Sequence, residues 1–490
     1  MFDVVVIGAG PAGENIAQYA TQSSGLTGAL IERELVGGEC SYYACMPSKA
    51  LLRPLEIAAT AAHIGGLTAP KIDTRALLAR RDEWVSSYDD SGQVDWAEGA
   101  GLEVLRGTGR LAGERLVELT TPVGTRTIEA RHAVVIATGS EPTVPAVYEG
   151  CLPWGSRDAT GVDEVPDRLV IVGGGVVSCE AAVWMRALGS SVTLLVRGDR
   201  LLNRVEPFAS EIVLKALRDM GIDVRLGVEV TTCHRDDPRD TGLGRVHGGT
   251  VVVSTSDGDV TADEILIAAG RKPRLDDLGL ESVGLDPKKV LAGDVPSWLV
   301  LVGDSSGEAP LTHWGKYRAR VLGEQIAARA TGGTEPFVPD AVPVPQVVFT
   351  DPQVASVGLT EAEARAAKID VEVSHVPWSA ASGAALLRDD VEGGAQLVVD
   401  RASRLVVGAT FVGPEAGELL HSATIAITGQ VPLAVLRHAV PSYPTASELW
   451  RRLIEQLPPE LLRPKGEGLG EPRGYLWVMV ATPMAASAMP

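Results

Sequence analysis

Two short apolar strands open two similar units of the chain. Residues 4–7 and Arg168–Val172 are runs rich in β-branched side chains, typical of strands buried on both faces of a parallel sheet. Each run is followed by a glycine-rich turn, a helical stretch and a second apolar strand, at residues 29–32 and 192–196 respectively. The hydrophobic pattern therefore predicts an internal repeat of a strand–turn–helix–strand unit.

The pattern between and after these units predicts further elements. Residues 102–127 and 224–260 alternate in short strands punctuated by turn residues, so we expect two antiparallel meanders. Residues 73–87 have the period of an amphipathic helix. The composition shifts near residue 344, and a further set of strands and helices is expected to about residue 457.

The turn after the first strand has the spacing G-x-G-x-x-G, and the acidic residue Glu32 ends the next strand. Such glycines allow a tight turn and let a pyrophosphate approach the helix N-terminus, while the carboxylate receives ribose hydroxyls. We therefore predict a dinucleotide site whose turn consists of Gly8, Gly10, Pro11, Ala12 and Gly13.

The second turn carries Gly173 and Gly175, with Ser178 in place of the third glycine. Serine is still small enough for close packing of the helix on the strand. Because the chain contains two such units, we expect it to bind two dinucleotides. An NAD-binding unit would end its second strand in Asp or Glu, but here Val196 is followed by Arg197. The missing carboxylate and the added arginine favour the 2′-phosphate of NADP. The alternative is that Arg197 is merely an exposed surface charge.

Cys40 and Cys45 lie between the two units, separated by four residues. In a regular helix their backbones would be about 7.5 Å apart along the axis. A disulfide needs Cα atoms within about 6.8 Å, so bonding requires a distorted segment, which Gly37 and Gly38 permit. Pro47 suits the first turn of a helix, which would place the sulfurs near a thiolate-stabilising N-terminus. Two unrelated buried thiols are the alternative.

The sequence from Gly37 to Lys49 reads G-G-x-C-x4-C-x-P-S-K and resembles the redox site of the flavoprotein disulfide reductases. This family includes dihydrolipoamide dehydrogenase, glutathione reductase and mercuric reductase, and the likeness continues to about residue 455. It implies an α/β fold of two Rossmann-like dinucleotide-binding domains plus a C-terminal α/β dimerisation domain. It further implies FAD in the first unit, NAD(P)H in the second, and a homodimer whose active sites are shared between subunits.

The resemblance divides the chain into segments. We expect residues 1–150 and 274–343 to form the FAD-binding domain, 151–273 the NAD(P)-binding domain, 344–457 the dimerisation domain, and 458–490 a tail rich in Pro, Gly and Ala.

The resemblance also implies residue roles at the two nucleotides. Asp304 is expected to contact the ribityl chain of the flavin, with a helix N-cap as an equal alternative. The residues expected at FAD are Gly8, Gly10, Pro11, Ala12, Gly13, Glu32, Gly38, Cys40, Lys49, Thr138, Gly139, Ser140, Asp304, Leu311, Thr312 and His313. Those expected at NAD(P) are Gly173, Gly175, Ser178, Glu180, Arg197 and Gly270.

Four residues carry the implied redox chemistry. Cys45 would lie against the flavin as the charge-transfer thiolate, and Cys40 would be the outer thiol that meets substrate. Lys49 and Glu180 would pair near the flavin N5, where the lysine stabilises the reduced flavin. Solvated surface charges are the alternative for both, although the apolar helix start around Glu180 argues against it.

The C-terminal part departs from the family pattern. Tyr443 stands where dihydrolipoamide dehydrogenase and glutathione reductase carry the histidine of His-Pro-Thr-x-x-Glu, and Glu448 matches the glutamate. A phenol has a pKa near 10 against about 6.5 for imidazole, so Tyr443 is a poor reservoir for thiol protons. His438 could substitute only if the backbone bends, and a structural histidine is the alternative.

Composition limits the partners and the compartment. The net charge of −19 disfavours nucleic acid and anionic membrane surfaces. Five cysteines do not make a secreted disulfide framework, so Cys151, Cys179 and Cys233 are expected to be scattered thiols that are buried or incidental. Neither a signal peptide nor a membrane span is predicted, no metal site is predicted, and the expected location is the cytoplasm.

These observations predict an FAD-dependent oxidoreductase. Electrons would pass from NADPH through FAD and the Cys40–Cys45 disulfide to a small-molecule acceptor, of thiol/disulfide, metal-ion or quinone type. A first alternative is an NAD-linked dihydrolipoamide dehydrogenase. A second, from another class, is a flavin-bound redox sensor, against which the presence of both nucleotide and disulfide motifs argues.

Overall fold

The structure, a computed structural model, describes residues 1–339 and 341–464. The predicted tail, residues 458–490, therefore lies mostly outside the described part. The α/β fold class is confirmed. Within the described ranges, no helix has both the length and the apolar character needed to cross a membrane.

The first part of the chain builds an α/β unit around a largely parallel sheet. Its elements are β1 (Phe2–Ile7), α1 (Pro11–Thr21), β2 (Gly28–Glu32), α2 (Gly38–Tyr42), α3 (Cys45–Ala62), α4 (Thr74–Trp84), α5 (Ser91–Gly99), β3 (Leu102–Arg106), β4 (Thr108–Gly113), β5 (Leu116–Thr121), β6 (Gly124–Ile136) and β7 (Ser140–Pro142). β1 lies between β2 and β6, and Val4, Val5 and Val6 are fully buried, as expected for a strand covered on both faces.

The meander predicted over residues 102–127 is wrong at its first strand. β3 pairs in parallel with β2 and so belongs to the parallel part of the sheet, whereas β4, β5 and the start of β6 are antiparallel. The far end of β6 turns parallel to β1. The helix predicted over residues 73–87 ends at Trp84 and is followed by a 3-10 turn at Ser86–Tyr88.

The second unit repeats the first. Its elements are α6 (Ser156–Thr160), β8 (Arg168–Val172), α7 (Val176–Leu188), β9 (Ser191–Val196), α8 (Pro207–Asp219), β10 (Asp223–Leu226), β11 (Val230–Arg235), β12 (Val251–Thr255), β13 (Gly258–Ala262) and β14 (Glu264–Ile267). The parallel order β10-β9-β8-β14 confirms the predicted internal repeat. The meander predicted over residues 224–260 is again wrong at its start, because β10 pairs in parallel with β9 and only β11, β12 and β13 are antiparallel.

The chain then returns to the first unit. It forms β15 (Arg271–Pro273), α9 (Pro287–Leu291), β16 (Leu299–Leu301) and α10 (Thr312–Thr331). β15 pairs with β7, so two short antiparallel strands connect the units. β16 joins the first sheet beside β6 in parallel register, and α10 packs closely against α1 at Gly323.

The C-terminal part is an antiparallel sheet covered by helices. Its elements are β17 (Gln346–Val348), β18 (Gln353–Gly358), α11 (Glu361–Ala366), β19 (Val371–Pro377), α12 (Ser382–Ala385), β20 (Gly394–Asp400), β21 (Leu405–Gly413), α13 (Ala416–Thr428), α14 (Leu433–Leu436) and α15 (Glu448–Glu455). The strand order is β17-β18-β21-β20-β19, and Trp378 and Phe411 are fully buried in its core. Gly383 of α12 packs directly on the backbone of Thr445.

We predict that Gly383→Ala destabilises this part of the protein. The added methyl group would collide with the Thr445 backbone, and such overpacking costs about 1–3 kcal/mol. Calorimetric unfolding should show a lower transition temperature. Gly92→Ala in α5 is the matched control, because its methyl group meets no atom within 4 Å and should be neutral or slightly stabilising. Equal transition temperatures in both variants would contradict the packing described here.

Candidate functional site

A break between α2 and α3 brings Cys40 and Cys45 together. Tyr43 and Ala44 leave the helical conformation, with ψ of −2° and −89°, and Cys45 begins α3. The segment is therefore distorted as expected, and Pro47 lies in the first turn of α3 as expected. Cys45 thus sits where the helix N-terminus carries a partial positive charge.

The two thiols are unbridged, partly buried and chemically unequal. The Cys45 Sγ lies 3.3 Å from the Thr312 Oγ1 at the start of α10. A hydrogen bond from Cys40, the Thr312 hydroxyl and the Lys49 ammonium lower the pKa of Cys45 to about 6, against the opposing effect of burial. The same hydrogen bond, together with burial, raises the pKa of Cys40 well above its ordinary value. Cys45 is therefore the thiolate at neutral pH.

An ion pair between Lys49 and Glu180 joins the two units beside the thiols. The Lys49 Nζ lies 2.9 Å from the Glu180 Oε2, and the Glu180 side chain is only 5 % exposed. The other carboxylate oxygen accepts the backbone N–H of Phe349 at 2.9 Å, and the Lys49 Nζ lies 4.6 Å from the centre of the Phe349 ring. Glu180 is thus buried and paired, which excludes the alternative of a solvated surface charge.

The turn before α1 has the geometry of a nucleotide cradle. Gly8 has a φ of +101°, and a Cβ there would collide with the Ala137 carbonyl. A Cβ at Gly38 would lie 2.7 Å from the Gly10 Cα, so the redox segment closes directly over the turn. Gly10 caps α1 without any side-chain hydrogen bond, which leaves the first N–H groups of α1 available to a phosphate. These features fit the pyrophosphate of FAD, with Pro11, Ala12 and Gly13 in the first turn of the helix.

The carboxylates predicted at FAD lie near the same turn. Glu32 accepts the backbone N–H groups of Ala9 and Glu34, both at 2.8 Å, and each oxygen keeps a lone pair for a hydroxyl. Asp304 accepts the Ser140 hydroxyl at 2.6 Å. Asp304 lies inside the 3-10 helix Gly303–Ser306, whose N-cap is Val302, so the N-cap alternative is wrong.

The remaining residues predicted at FAD fall on two segments. The Thr138 hydroxyl donates to the Arg274 carbonyl at 2.6 Å, and Gly139 accepts the Arg274 N–H at 2.9 Å. Leu311 is the N-cap of α10 and makes no side-chain cap bond, so this helix also presents free N–H groups next to Thr312. The His313 Nε2 lies 2.7 Å from the Pro345 carbonyl oxygen.

The residues predicted at NAD(P) form a second cradle. Gly173 has a φ of +131°, and Gly175 caps α7 without a side-chain hydrogen bond. Ser178 is fully buried, and its hydroxyl has no hydrogen-bond partner among the described residues. Gly270 accepts the Thr143 N–H at 2.9 Å, at the junction with β15. Arg197 is exposed after β9, so both interpretations of this arginine stay open.

The C-terminal pair does not assemble within one chain. The Tyr443 side chain is 75 % exposed, whereas Glu448 is buried at the start of α15. Glu448 and Tyr443 therefore make no hydrogen bond with each other within the described residues of one chain. There the Glu448 Oε2 has no hydrogen-bond partner, and the Oε1 lies 3.8 Å from Arg451. His438 is exposed after α14.

Several contacts at the site were missed by sequence reasoning. Thr312 was expected only at FAD, yet its hydroxyl contacts the Cys45 sulfur. Glu39, inside the motif, accepts the Arg157 guanidinium at 2.8 Å, and Arg157 also lies 4.2 Å from the centre of the Tyr43 ring. The charge of Glu39 was visible in the sequence, but a partner 118 residues away gives no local signal.

Comparison with known protein families identifies the family of this chain. The model described as pyridine nucleotide-disulphide oxidoreductase matches residues 2–291, and the dimerisation domain of the same family matches residues 344–454. The chain belongs to the pyridine nucleotide-disulphide oxidoreductase family. It is therefore an enzyme of this class, and membership implies a flavin and a pyridine nucleotide as its cofactors. The sensor alternative is thereby disfavoured.

Curated relatives of the family cover nearly the whole chain. A protein named dihydrolipoyl dehydrogenase from Haloferax volcanii is 33 % identical over 468 residues, covering 91 % of this chain and 94 % of its own. The dihydrolipoyl dehydrogenase of Thermus scotoductus is 34 % identical, covering 91 % and 95 %. Dihydrolipoyl dehydrogenase 3 of Pseudomonas aeruginosa is 32 % identical, covering 92 % and 97 %.

Solved structures share the fold. LpdA from Mycobacterium tuberculosis superposes with a TM-score of 0.78 at 23 % identity, covering 93 % of this chain and 99 % of its own. The Cu(II) complex of the HOCl-induced flavoprotein disulfide reductase RclA from Escherichia coli has a TM-score of 0.77 at 22 % identity, with the same coverage.

We predict that Cys45 reacts as a low-pKa thiol. In the reduced protein, its alkylation by iodoacetamide should rise through a pH of about 6 and level off near neutrality, because the thiolate exists above the pKa. Thr312→Val removes a hydrogen bond to the thiolate and should move the midpoint to higher pH. Thr312→Ser keeps the hydroxyl and should leave the midpoint unchanged. Peptide mass spectrometry gives the rates, and a wild-type midpoint near 8.5, that of a free cysteine, would contradict this pKa.

Proposed function

We propose that this enzyme transfers electrons between NAD(P)H and a substrate through FAD and the Cys40–Cys45 pair. The observation that carries the proposal is the low-pKa Cys45 at the start of α3, one helical turn before the Lys49–Glu180 pair. FAD, when bound, supplies the two-electron step between nicotinamide and disulfide. Reduction of the disulfide then takes two electrons and one proton, which leaves Cys45 as thiolate and Cys40 as thiol.

We propose NADPH as the preferred nucleotide. Val196 ends β9 buried and without a carboxylate, and exposed Arg197 follows it directly. A guanidinium at this place suits a 2′-phosphate, and an acid that would receive ribose hydroxyls is missing. The homodimer and the cytoplasm remain part of the proposal. The matched dimerisation domain supports the homodimer, as does the exposed Tyr443, whose expected role requires a partner subunit.

The nucleotide preference is tested by kinetics. Wild-type enzyme should have a higher kcat/KM for NADPH than for NADH. Arg197→Ala should lower the NADPH value about 10- to 150-fold, equivalent to about 1.5–3 kcal/mol for a hydrogen bond to a charged group. NADH should be little affected. Arg126→Ala, at an exposed position of β6, is the control for lost surface charge. Equal efficiency of both nucleotides in wild type would make Arg197 a surface charge only.

Two substrate classes compete, and different observations favour them. The relatives named dihydrolipoyl dehydrogenase, at 30–34 % identity over about nine-tenths of the chain, support a dithiol such as dihydrolipoamide. These names favour the lipoamide function over the other acceptors. Tyr443 supports the second class, because a phenol is a poorer acceptor of thiol protons at neutral pH than the imidazole it replaces. Metal ions and quinones need no such base.

Tyr443 decides between these classes. If it is a poor base, wild-type enzyme should oxidise dihydrolipoamide slowly while NADPH still reduces the flavin fast in stopped flow. Tyr443→His should then raise dihydrolipoamide turnover, since a positioned acid–base group contributes about 10²–10⁴-fold. Tyr443→Phe is the matched control and should not raise it.

The same assays include oxidised glutathione, mercuric ion and a quinone as acceptors. Wild-type dihydrolipoamide oxidation as fast as flavin reduction would establish the lipoamide function and require another base, such as His438.

A further inference from the structure

Cys151 and Cys233 contact each other far from the motif cysteines in sequence. Their Sγ atoms lie 2.7 Å apart, although 82 residues separate them. Cys151 ends the 3-10 helix Ala146–Cys151, which enters the second unit, and Cys233 lies on the edge strand β11. The expectation that these thiols are scattered is wrong for this pair, although Cys151 is buried as expected. A disulfide bond is about 2.0 Å long, so a small side-chain movement would complete one.

Neighbouring groups hold the two sulfurs in place. Cys233 and Arg235 are two positions apart on β11, so their side chains share one face of the strand. The Arg235 Nε donates to the Cys151 carbonyl at 2.7 Å, and its guanidinium forms a fully buried ion pair with Glu264. One face of β11 therefore fixes the Cys151 backbone and presents a thiol to the Cys151 sulfur.

The two sulfurs differ in access. Cys151 is 1 % exposed, whereas Cys233 is only partly buried. A reagent in solution therefore meets Cys233 first, and Cys151 is placed to resolve the product. Burial and the hydrogen bond to Cys151 raise the pKa of Cys233, which makes its exchange slow at neutral pH. Cys45, with its lowered pKa, is the opposite case.

We propose that Cys151 and Cys233 form a second dithiol–disulfide site, which takes a low-molecular-weight disulfide as its oxidant. The Cys233 thiolate attacks that disulfide, forms a mixed disulfide and releases one thiol. The Cys151 thiolate then attacks the Cys233 sulfur, forms the Cys151–Cys233 bond and releases the second thiol. Two electrons pass from the protein to the oxidant, and the two protons lost by the cysteines end on the released thiols.

The bond would tie the entry of the second unit to its edge strand. The closed loop contains α6, β8, α7, β9, α8 and β10, which include three of the four strands of the parallel sheet of this unit. Closing a loop of this length constrains the unfolded chain and stabilises the folded unit. The oxidised site should therefore raise the thermal stability of this unit and be reduced more slowly than Cys40–Cys45.

The test uses the full-length flavoprotein and oxidised glutathione as the probe. After incubation, free thiols are alkylated and peptides are mapped by mass spectrometry. We expect a peptide pair linked through Cys151 and Cys233, and an unfolding temperature several degrees above that of the reduced protein. A brief pulse of dithiothreitol should free Cys40 and Cys45 before this pair. The proposal is overturned if Cys151 and Cys233 both remain alkylatable thiols. This mapping needs no nicotinamide turnover, so it stands apart from the function proposed above.

Three variants test the order of attack. Cys151→Ser should retain one glutathione on Cys233, because the resolving thiol is gone. Cys233→Ser should leave Cys151 unmodified and remove the thermal shift. Cys179→Ser is the control, since Cys179 is fully buried in α7 and should leave the linked peptide and the shift intact. A stable adduct on Cys151 instead of Cys233 would overturn the assignment. The wild-type mapping decides the proposal even if a variant fails to fold.

Discussion

The ion pair between Lys49 and Glu180 is the contact on which the site depends, because three parts of the chain meet there. Lys49 belongs to the first unit and Glu180 to the second. The backbone N–H of Phe349, in the C-terminal part, donates a hydrogen bond to the other oxygen of the Glu180 carboxylate. Breaking a buried pair costs about 3–5 kcal/mol. Since the Lys49 side chain is 34 % exposed, solvent screens part of this energy and the cost lies lower. What the pair secures is a fixed positive charge beside the thiols.

The helix period places that charge. Cys45 and Lys49 are four positions apart on α3, so they share one face, one turn from the N-terminus. The helix end, the ammonium and the Thr312 hydroxyl of α10 then act on the same sulfur. Pro47 fits between them because the first turn of a helix needs no N–H from it. The spacing of the motif therefore has a geometric reason: an offset of two or five positions, unlike three or four, would turn the ammonium away from the thiol.

The sequence pattern correctly predicted those features that depend on residues close together in the chain. The two glycine-rich turns, their helices and the N-terminal position of Cys45 follow from residues within one unit. The sequence pattern did not predict that β3 and β10 join the parallel sheets. Parallel pairing brings together strands that are distant in sequence, so it leaves no local signal. The contact of Thr312 with Cys45, across 267 residues, and that of Phe349 with Glu180 were missed for the same reason. Neither side chain differs in type from an ordinary surface or core residue.

The two cysteine pairs show how the surroundings of a thiol shift its pKa in opposite directions. Cys45 lies at an uncompensated helix end beside an ammonium, and its thiolate is favoured. Cys233 packs against an apolar core with a thiol as its hydrogen-bond partner, and its thiolate is disfavoured. Because thiol–disulfide exchange requires a thiolate, the first environment favours fast exchange and the second favours slow exchange. Cysteine content could not separate these cases, since the difference lies in what surrounds each sulfur. One chain can therefore carry a reactive cysteine pair at one site and a slowly exchanging pair at another.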